Sequence, residues 1–98
     1  MKRQAVIINV ARGGILNEDA LLQTLRERQI AGAATDVFLE EPAGPHNSAL
    51  LTEDTKDINL IVTPHVAWVA ETTTRDMSLI TKLNVEAWHA GRPVNVVV

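Results

Sequence analysis

The sequence predicts an α/β fold that corresponds to one half of a doubly wound parallel sheet, followed by a long helix. Three short apolar runs, at residues 5–10, 33–38 and 60–63, indicate strands that are buried on both faces. A helical pattern separates the first two runs, and a longer helical pattern follows the third. Strands that alternate with helices pair in parallel through right-handed crossovers. Only about one helix and a long loop remain to cover the three strands, so half of such a sheet is predicted.

The first strand and the helix after it are indicated by composition and by capping residues. Residues 5–10 contain several β-branched side chains, and the Gly-Gly pair that follows favours a strand over a helix. Asn17 is a typical helix-capping residue, and the two acids after it suit the positive end of a helix. The apolar stripe of this helix is predicted to contain Ala20, Leu21, Leu22 and Leu25.

The middle of the chain is predicted to form a strand, a loop and a strand. Small side chains fill the second strand at residues 33–38. Residues 40–59 are rich in proline, glycine, asparagine and acids, which indicates a loop with one helical turn near residues 48–51. The third strand covers residues 60–63, and Pro64 ends it.

A long helix is predicted over residues 71–90, where apolar residues recur at helical spacing. Gly91 and Pro93 are typical signals for the end of a helix. Residues 94–98 form an apolar tail that is able to make a strand. The sequence therefore divides into a sheet domain at residues 1–70 and a helix with a tail at residues 71–98.

Composition and charge exclude several classes of protein. The chain has 98 residues, 46% of them hydrophobic, and a net charge of −3 without a basic patch, so nucleic acid is not an expected partner. No apolar run is long enough to span a bilayer, so a membrane is not expected either. The absence of cysteine excludes disulfides and thiolate chemistry, and it indicates a cytoplasmic location.

Charged residues occur just beyond the carboxyl end of every predicted strand. Arg12 follows the first strand, Asp36 and Glu41 follow the second with Glu40, and His65 follows the third. Ligands of open α/β sheets bind at this edge. A guanidinium can hold a carboxylate through two hydrogen bonds, and a histidine paired with a carboxylate is an acid–base group near neutral pH. An anion clamp beside a proton donor suits the reduction of a 2-keto acid.

Each of these side chains taken alone also has a structural interpretation. Arg12 could be a surface residue paired with an acid, and His65 could be a hydrogen-bonded structural histidine. Glu41 lies in an acidic cluster of the kind that is usually solvated, and Asp36 could cap a turn. No H-E-x-x-H or other local ligand pair occurs in the sequence, so no metal site is predicted.

Three segments resemble those of D-isomer-specific 2-hydroxyacid dehydrogenases. Residues 6–21, V-I-I-N-V-A-R-G followed by G-I-L-N-E-D-A-L, resemble the arginine segment of that family. Residues 32–42, G-A-A-T-D-V-F-L-E-E-P, resemble its acidic segment, and residues 59–68, N-L-I-V-T-P-H-V-A-W, resemble its histidine segment. The T-P-H-V-A-W form is similar to the glycerate dehydrogenase or hydroxypyruvate reductase branch. Three linked motifs in the same order are a specific signal.

The resemblance implies a Rossmann-like fold, NAD or NADP as cofactor, and a small 2-keto or 2-hydroxy acid as substrate. Arg12, Glu41 and His65 would be the catalytic residues: Arg12 would bind the substrate carboxylate, His65 would transfer the proton, and Glu41 would orient His65. The further residues implied at the cofactor are Val10, Ala11 and Asp36, together with Arg12 and His65. Trp68 is implied as a substrate-binding residue, alongside Arg12. By the same resemblance, residues 71–98 would return to a substrate domain.

One departure from the family pattern limits what this chain is expected to do alone. No G-x-G-x-x-G phosphate-binding loop occurs, and the residue that would select NAD or NADP is absent with it. We therefore expect a fragment of an enzyme, with Met1 as an internal start, which is a homodimer or requires the missing half. The alternative is a non-catalytic binding or scaffold protein derived from the same fold.

Overall fold

The computed structural model describes residues 1–97 and divides the chain into two compact units, Met1–Ala67 and Trp68–Val98. Each unit is described by itself. The first unit contains β1 (Val6–Asn9), α1 (Glu18–Arg26), β2 (Gly32–Thr35), two single-turn 3-10 helices (Ala49–Leu51 and Glu53–Thr55) and β3 (Leu60–Val62). The second unit contains α2 (Glu71–His89).

The sheet is parallel, with the strand order β1-β2-β3, as predicted. Ile7 lies opposite Ala33, and Ala33 lies opposite Leu60. The strands end earlier than predicted, and at β1 a polar side chain binds the backbone groups that follow the strand. Asn9 ends β1, since its side-chain oxygen accepts a hydrogen bond from Ala11 N and its side-chain NH2 group donates one to Arg12 O. These early strand ends leave longer loops at the edge where the charged residues lie.

The cap of α1 is the one predicted from the sequence. The side-chain oxygen of Asn17 accepts a hydrogen bond of 2.8 Å from Ala20 N, which satisfies one of the free donors of the first turn. Leu21, Leu22 and Leu25 are buried, as expected. Ala20 was also predicted in the apolar stripe, but it is exposed because its position lies off the face that packs on the sheet.

The core of the first unit lies on one face of the sheet. Buried side chains from α1, from the following loop and from the 3-10 turn make a single cluster, which includes Leu21, Leu25, Phe38 and Leu50. On the opposite face Val6, Ile8 and Ile61 are exposed. The expectation of strands buried on both faces is therefore wrong for this chain, because α1 and the 3-10 turn cover one face only.

The second unit consists of α2 and the residues that flank it. The helix ends within one residue of the predicted position, and Gly91 follows it with a left-handed φ of +70°. No side chain caps its first turn, since Ala70 occupies the capping position. None of its described residues is buried. The tail is not a strand over residues 94–97, and Val98 lies outside the described residues.

Neither helix of the described chain combines the length and the apolar character that a membrane span requires.

Candidate active site

The loop after β1 presents Arg12 at the carboxyl edge of the sheet. The Asn9 side chain, which is 7% exposed, holds this loop through its hydrogen bonds to Ala11 and Arg12. The Arg12 guanidinium donates a 2.7 Å hydrogen bond to the carbonyl of Ala11, and the residue is exposed. Val10 and Ala11 are exposed as well. The loop therefore offers a positive charge and a stretch of open backbone at the predicted cofactor edge.

Gly13 allows the backbone of this loop to lie directly against the backbone of the loop that follows β2. A Cβ atom at this position would lie 1.7 Å from the carbonyl oxygen of Phe38 and 2.8 Å from the backbone nitrogen of Leu39. No side chain can occupy that space while the two backbones keep their places. The arginine loop and the loop that carries Glu41 are therefore in direct backbone contact.

Asp36 clamps the loop after β3. Its Oδ1 accepts hydrogen bonds from the Thr63 hydroxyl at 2.5 Å and from Val66 N at 2.9 Å, and its Oδ2 accepts one from Ala67 N at 2.9 Å. The residue is 2% exposed. Burial alone would raise the pKa of Asp36, but the three hydrogen bonds and the charge of His65 outweigh it, so the pKa is lowered. Asp36 thus remains ionised and holds the residues on either side of His65.

The clamp explains the unusual backbone of His65, whose φ is +56°. This left-handed conformation disfavours residues that carry a Cβ atom. Thr63 lies before His65 and Val66 lies after it, and both are held by the same Asp36 oxygen. The surrounding hydrogen bonds therefore impose the conformation that directs the imidazole.

Glu41 and His65 form an ion pair across two loops. The Nδ1 atom of His65 lies 2.7 Å from Oε2 of Glu41, and Phe38 N donates a 3.0 Å hydrogen bond to Oε1 of the same carboxylate. The hydrogen bonds from His65 and from Phe38 lower the pKa of Glu41, and they outweigh the effect of burial. Since the carboxylate is an acceptor, Nδ1 of His65 carries a proton, and Nε2 remains available to exchange a proton with a bound molecule.

A cavity of about 300 Å³ opens beside this pair. Glu41 and His65 contribute its polar lining, while Phe38, Pro42 and Val62 are among its apolar walls. The pair therefore faces a mostly apolar space, although both side chains are still partly exposed to solvent. The arrangement can transfer a proton to or from a small molecule.

The structure brings three of the predicted residues together. Asp36, Glu41 and His65 lie in one hydrogen-bonded network of the first unit. Trp68 belongs to the second unit, so its predicted role at the substrate stays a prediction. Glu40, the acid next to Glu41, is exposed. Among residues 1–97, no three histidine or acidic side chains are grouped so that they could hold a metal ion.

Sequence reasoning missed several residues that build this site. They support it through hydrogen bonds that position the loops and the site side chains: Asn9, Thr63 and the backbone amide of Phe38. A polar residue that ends an apolar strand, as Asn9 does, is a signal that could have been used.

Comparison with known proteins supports the resemblance. The family model for the NAD-binding domain of D-isomer specific 2-hydroxyacid dehydrogenases matches residues 1–67. A glycerate dehydrogenase of Methylorubrum extorquens is 47% identical over 97 residues, which cover 99% of this chain and 30% of that protein.

Solved structures agree with the sequence comparison. An NADPH-dependent glyoxylate/hydroxypyruvate reductase from Sinorhizobium meliloti has a TM-score of 0.78 and 36% identity, covering 98% of this chain and 29% of that one. An acyclic imino acid reductase in complex with NADPH and D-Arg has a TM-score of 0.78 and 30% identity, covering 100% of this chain and 29% of that one. The predicted fold and family are confirmed, although the chain spans less than a third of the length of these relatives. The chain belongs to the D-isomer specific 2-hydroxyacid dehydrogenase family, and residues 1–67 carry part of that family's NAD-binding domain.

Proposed function

We propose that this chain forms the catalytic edge of an NAD- or NADP-dependent oxidoreductase that interconverts a D-2-hydroxy acid and a 2-keto acid. The observation that carries the proposal is the 2.7 Å contact between His65 Nδ1 and Glu41 Oε2 beside an apolar cavity. A histidine held in this way has a fixed tautomer and a fixed ring orientation. The sequence similarity to a glycerate dehydrogenase supports glycerate and hydroxypyruvate as the first substrates to test, with glyoxylate as the next.

His65 is the proton donor in reduction and the proton acceptor in oxidation. When a keto acid is reduced, protonated His65 gives the proton on Nε2 to the keto oxygen, which becomes the hydroxyl oxygen. When a hydroxy acid is oxidised, neutral His65 takes that proton back at Nε2. Glu41 stays ionised in both directions, because its lowered pKa keeps it a carboxylate at neutral pH. Its carboxylate accepts the hydrogen bond from Nδ1 of His65 and so keeps the ring oriented in both directions.

Arg12 is the group that binds the substrate carboxylate. A guanidinium offers two parallel donors to a carboxylate, which fixes the position of the acid as well as its charge. The exposed side chain is free of any hydrogen bond to an acidic group among those described, and its bond to the Ala11 carbonyl is local. Arg12 can therefore turn to an incoming anion at the cost of only this local hydrogen bond.

The residues of the sheet edge suit the nicotinamide end of the cofactor. The exposed backbone of Val10, Ala11 and Arg12 follows β1, where a flat ring can approach the sheet. Bound nicotinamide supplies or accepts the hydride. The resemblance assigns Asp36 to the carboxamide of this ring. Among the hydrogen bonds described, Asp36 Oδ2 accepts the one from Ala67 N, which leaves a lone pair for such a contact while the clamp stays intact.

A chimeric enzyme tests the proposed function. Residues 1–97 would replace the aligned segment of the Methylorubrum extorquens glycerate dehydrogenase, and the NAD(P)-linked oxidation of glycerate would be measured. We expect an active chimera, and we expect His65→Gln to lower kcat by roughly 100-fold or more. Arg12→Lys keeps the charge but loses the planar fork, so kcat/KM should fall by about tenfold or more. Activity that survives His65→Gln would refute the proposal.

The assembly and the location are part of the same proposal. The exposed apolar residues of β1, β3 and α2 support a homodimer or a requirement for the rest of the enzyme, which would include a substrate domain reached by residues 71–98. The absence of cysteine supports a cytoplasmic location. Light scattering with hydrophobic-dye binding would test the assembly, since a strictly monomeric chain that binds no dye is not expected.

A further inference from the structure

The carboxylate of Glu18 joins the start of α1 to both ends of the loop that carries Glu41. Its Oε1 accepts a 2.9 Å hydrogen bond from Leu39 N, and its Oε2 accepts a 2.5 Å hydrogen bond from the Ser48 hydroxyl. Residues 39–48, here termed the glutamate loop, therefore begin and end on one side chain. Ser48 is 4% exposed, so this junction is shielded from water at its far end.

The position of Glu18 makes it relevant to the pair of Glu41 and His65. Leu39 N, which Glu18 holds, belongs to the peptide that directly follows Phe38. Phe38 N in turn donates the hydrogen bond to Oε1 of Glu41. The amides of Phe38 and Leu39 belong to planar peptide units that are joined only through the φ and ψ angles of Phe38. A hydrogen bond that holds Leu39 N therefore restricts the orientation of Phe38 N. Glu18 thus acts on the donor that orients Glu41.

Apart from the bonds of Glu41, the side chain of Asn47 and the backbone of Ser48 make hydrogen bonds within the glutamate loop. Asn47 accepts from Gly44 N and donates to the carbonyl of Pro42, and Ser48 N donates to the carbonyl of Gly44. These bonds shape a turn but do not tie it to the helix. The two bonds to Glu18 provide that tie.

We propose that Glu18 is a positioning residue for the Glu41–His65 pair, acting through the glutamate loop. This inference rests on the proposed function, since it assigns Glu18 a part in placing the proton-transfer group. Without Glu18 the glutamate loop loses both bonds to α1, and the Glu41 carboxylate leaves His65 for part of the time. The imidazolium of His65 then loses part of its stabilisation.

The test is the pH dependence of keto-acid reduction in the chimeric enzyme. Glu18→Ala should move the fall of kcat with rising pH to lower pH, in the same direction as Glu41→Gln, and should lower kcat by about tenfold with KM nearly unchanged. Glu18→Gln should restore most of the wild-type profile. Its side-chain oxygen still accepts from Leu39 N, and its amide can donate to the Ser48 hydroxyl oxygen.

Asp19→Ala is the matched control. Asp19 is the other acid in the first turn of α1, so its loss changes the helix charge equally, and no hydrogen bond described joins its side chain to the glutamate loop. We expect it to leave the pH profile unchanged. Ser48→Ala removes only one of the two bonds, and it should give a smaller shift in the same direction. It also keeps the test decisive if Glu18→Ala does not fold.

The combination with Glu41→Gln separates positioning from general stability. If Glu18 acts through Glu41, Glu18→Ala should produce no further shift of the pH profile in the Glu41→Gln background. Additive shifts, or an equal shift from Asp19→Ala, would overturn the inference and leave the proposed function standing. If Glu41→Gln itself leaves the profile unmoved, Glu41 is not the partner of His65 and the role of Glu18 is overturned, whereas the proposed function is refuted only if activity survives His65→Gln.

Discussion

Replacement of Gly13 by alanine is expected to separate the two loops of the candidate site. The added Cβ would lie 1.7 Å from the Phe38 carbonyl oxygen, and such atoms essentially never approach within 3.0 Å, so the Phe38 peptide must retreat by at least about 1.3 Å. Overpacking of this kind costs about 1–3 kcal/mol, and a clash with backbone belongs at the upper end. We therefore expect Gly13→Ala to lower the free energy of unfolding by about 3 kcal/mol.

For a domain of this size, that loss lowers Tm by roughly 12–24 °C. Backbone circular dichroism and amide exchange in β1 and β2 are the suitable measurements. Tryptophan fluorescence is not, because both tryptophans lie in the second unit. Gly44→Ala is the control, since the added Cβ meets only the imidazole of His46, at 2.9 Å, in an exposed loop. It should change stability by about 1 kcal/mol or less. Equal melting temperatures for the two variants would refute the reasoning.

Loss of the charge at position 41 should move the pH profile of keto-acid reduction. Reduction needs protonated His65, so it falls as pH rises, and Glu41→Gln should bring that fall to lower pH; an unmoved profile would exclude Glu41 as the partner. The acid limit of the fold follows from the lowered pKa values of Asp36 and Glu41. Both carboxylates stabilise the fold fully above about pH 5, and that contribution is lost as pH falls through the lowered values. Amide protection at Val66 and Ala67 should follow the same dependence. Asp36→Asn should remove this amide protection at neutral pH, because the new side-chain NH2 group is a donor and faces another donor, the N–H of Ala67. Unchanged amide exchange rates at Val66 and Ala67 would contradict the clamp. The isolated chain should bind NADH with a Kd weaker than about 1 mM in calorimetry, because the phosphate-binding loop that supplies most of the affinity is absent from the sequence. A micromolar Kd would contradict that assignment of affinity.

Local sequence signals predicted the elements of the fold and the charged residues at its edge. The cap of α1 depends on the Asn17 side chain and on Ala20 N, which are only three residues apart. The strands of the sheet can be recognised in the sequence as apolar runs. Arg12, Glu41 and His65 could be found because each follows a strand, and parallel strands bring their carboxyl ends to one edge.

The parts that the sequence did not predict depend on pairings between distant residues. The bond from Leu39 N to Glu18 spans 21 residues, and the bond from Ala67 N to Asp36 spans 31. In the sequence Glu18 is an ordinary acid of a first helical turn. Its partners are known only after the helix packs on the sheet. The left-handed backbone of His65 is hidden for the same reason, because the hydrogen bonds that impose it come from β2.

That left-handed backbone has a consequence for protein design. A residue with a Cβ atom at φ +56° carries a conformational penalty of about 1–2 kcal/mol that glycine does not. A procedure that optimised this chain for thermal resistance alone would therefore favour glycine or asparagine at position 65, and it would remove the proposed proton-transfer group. Under the proposed function, position 65 is thus a point where stability and catalysis make opposite demands on one residue. Engineering of this segment should hold His65 constant and seek stability elsewhere.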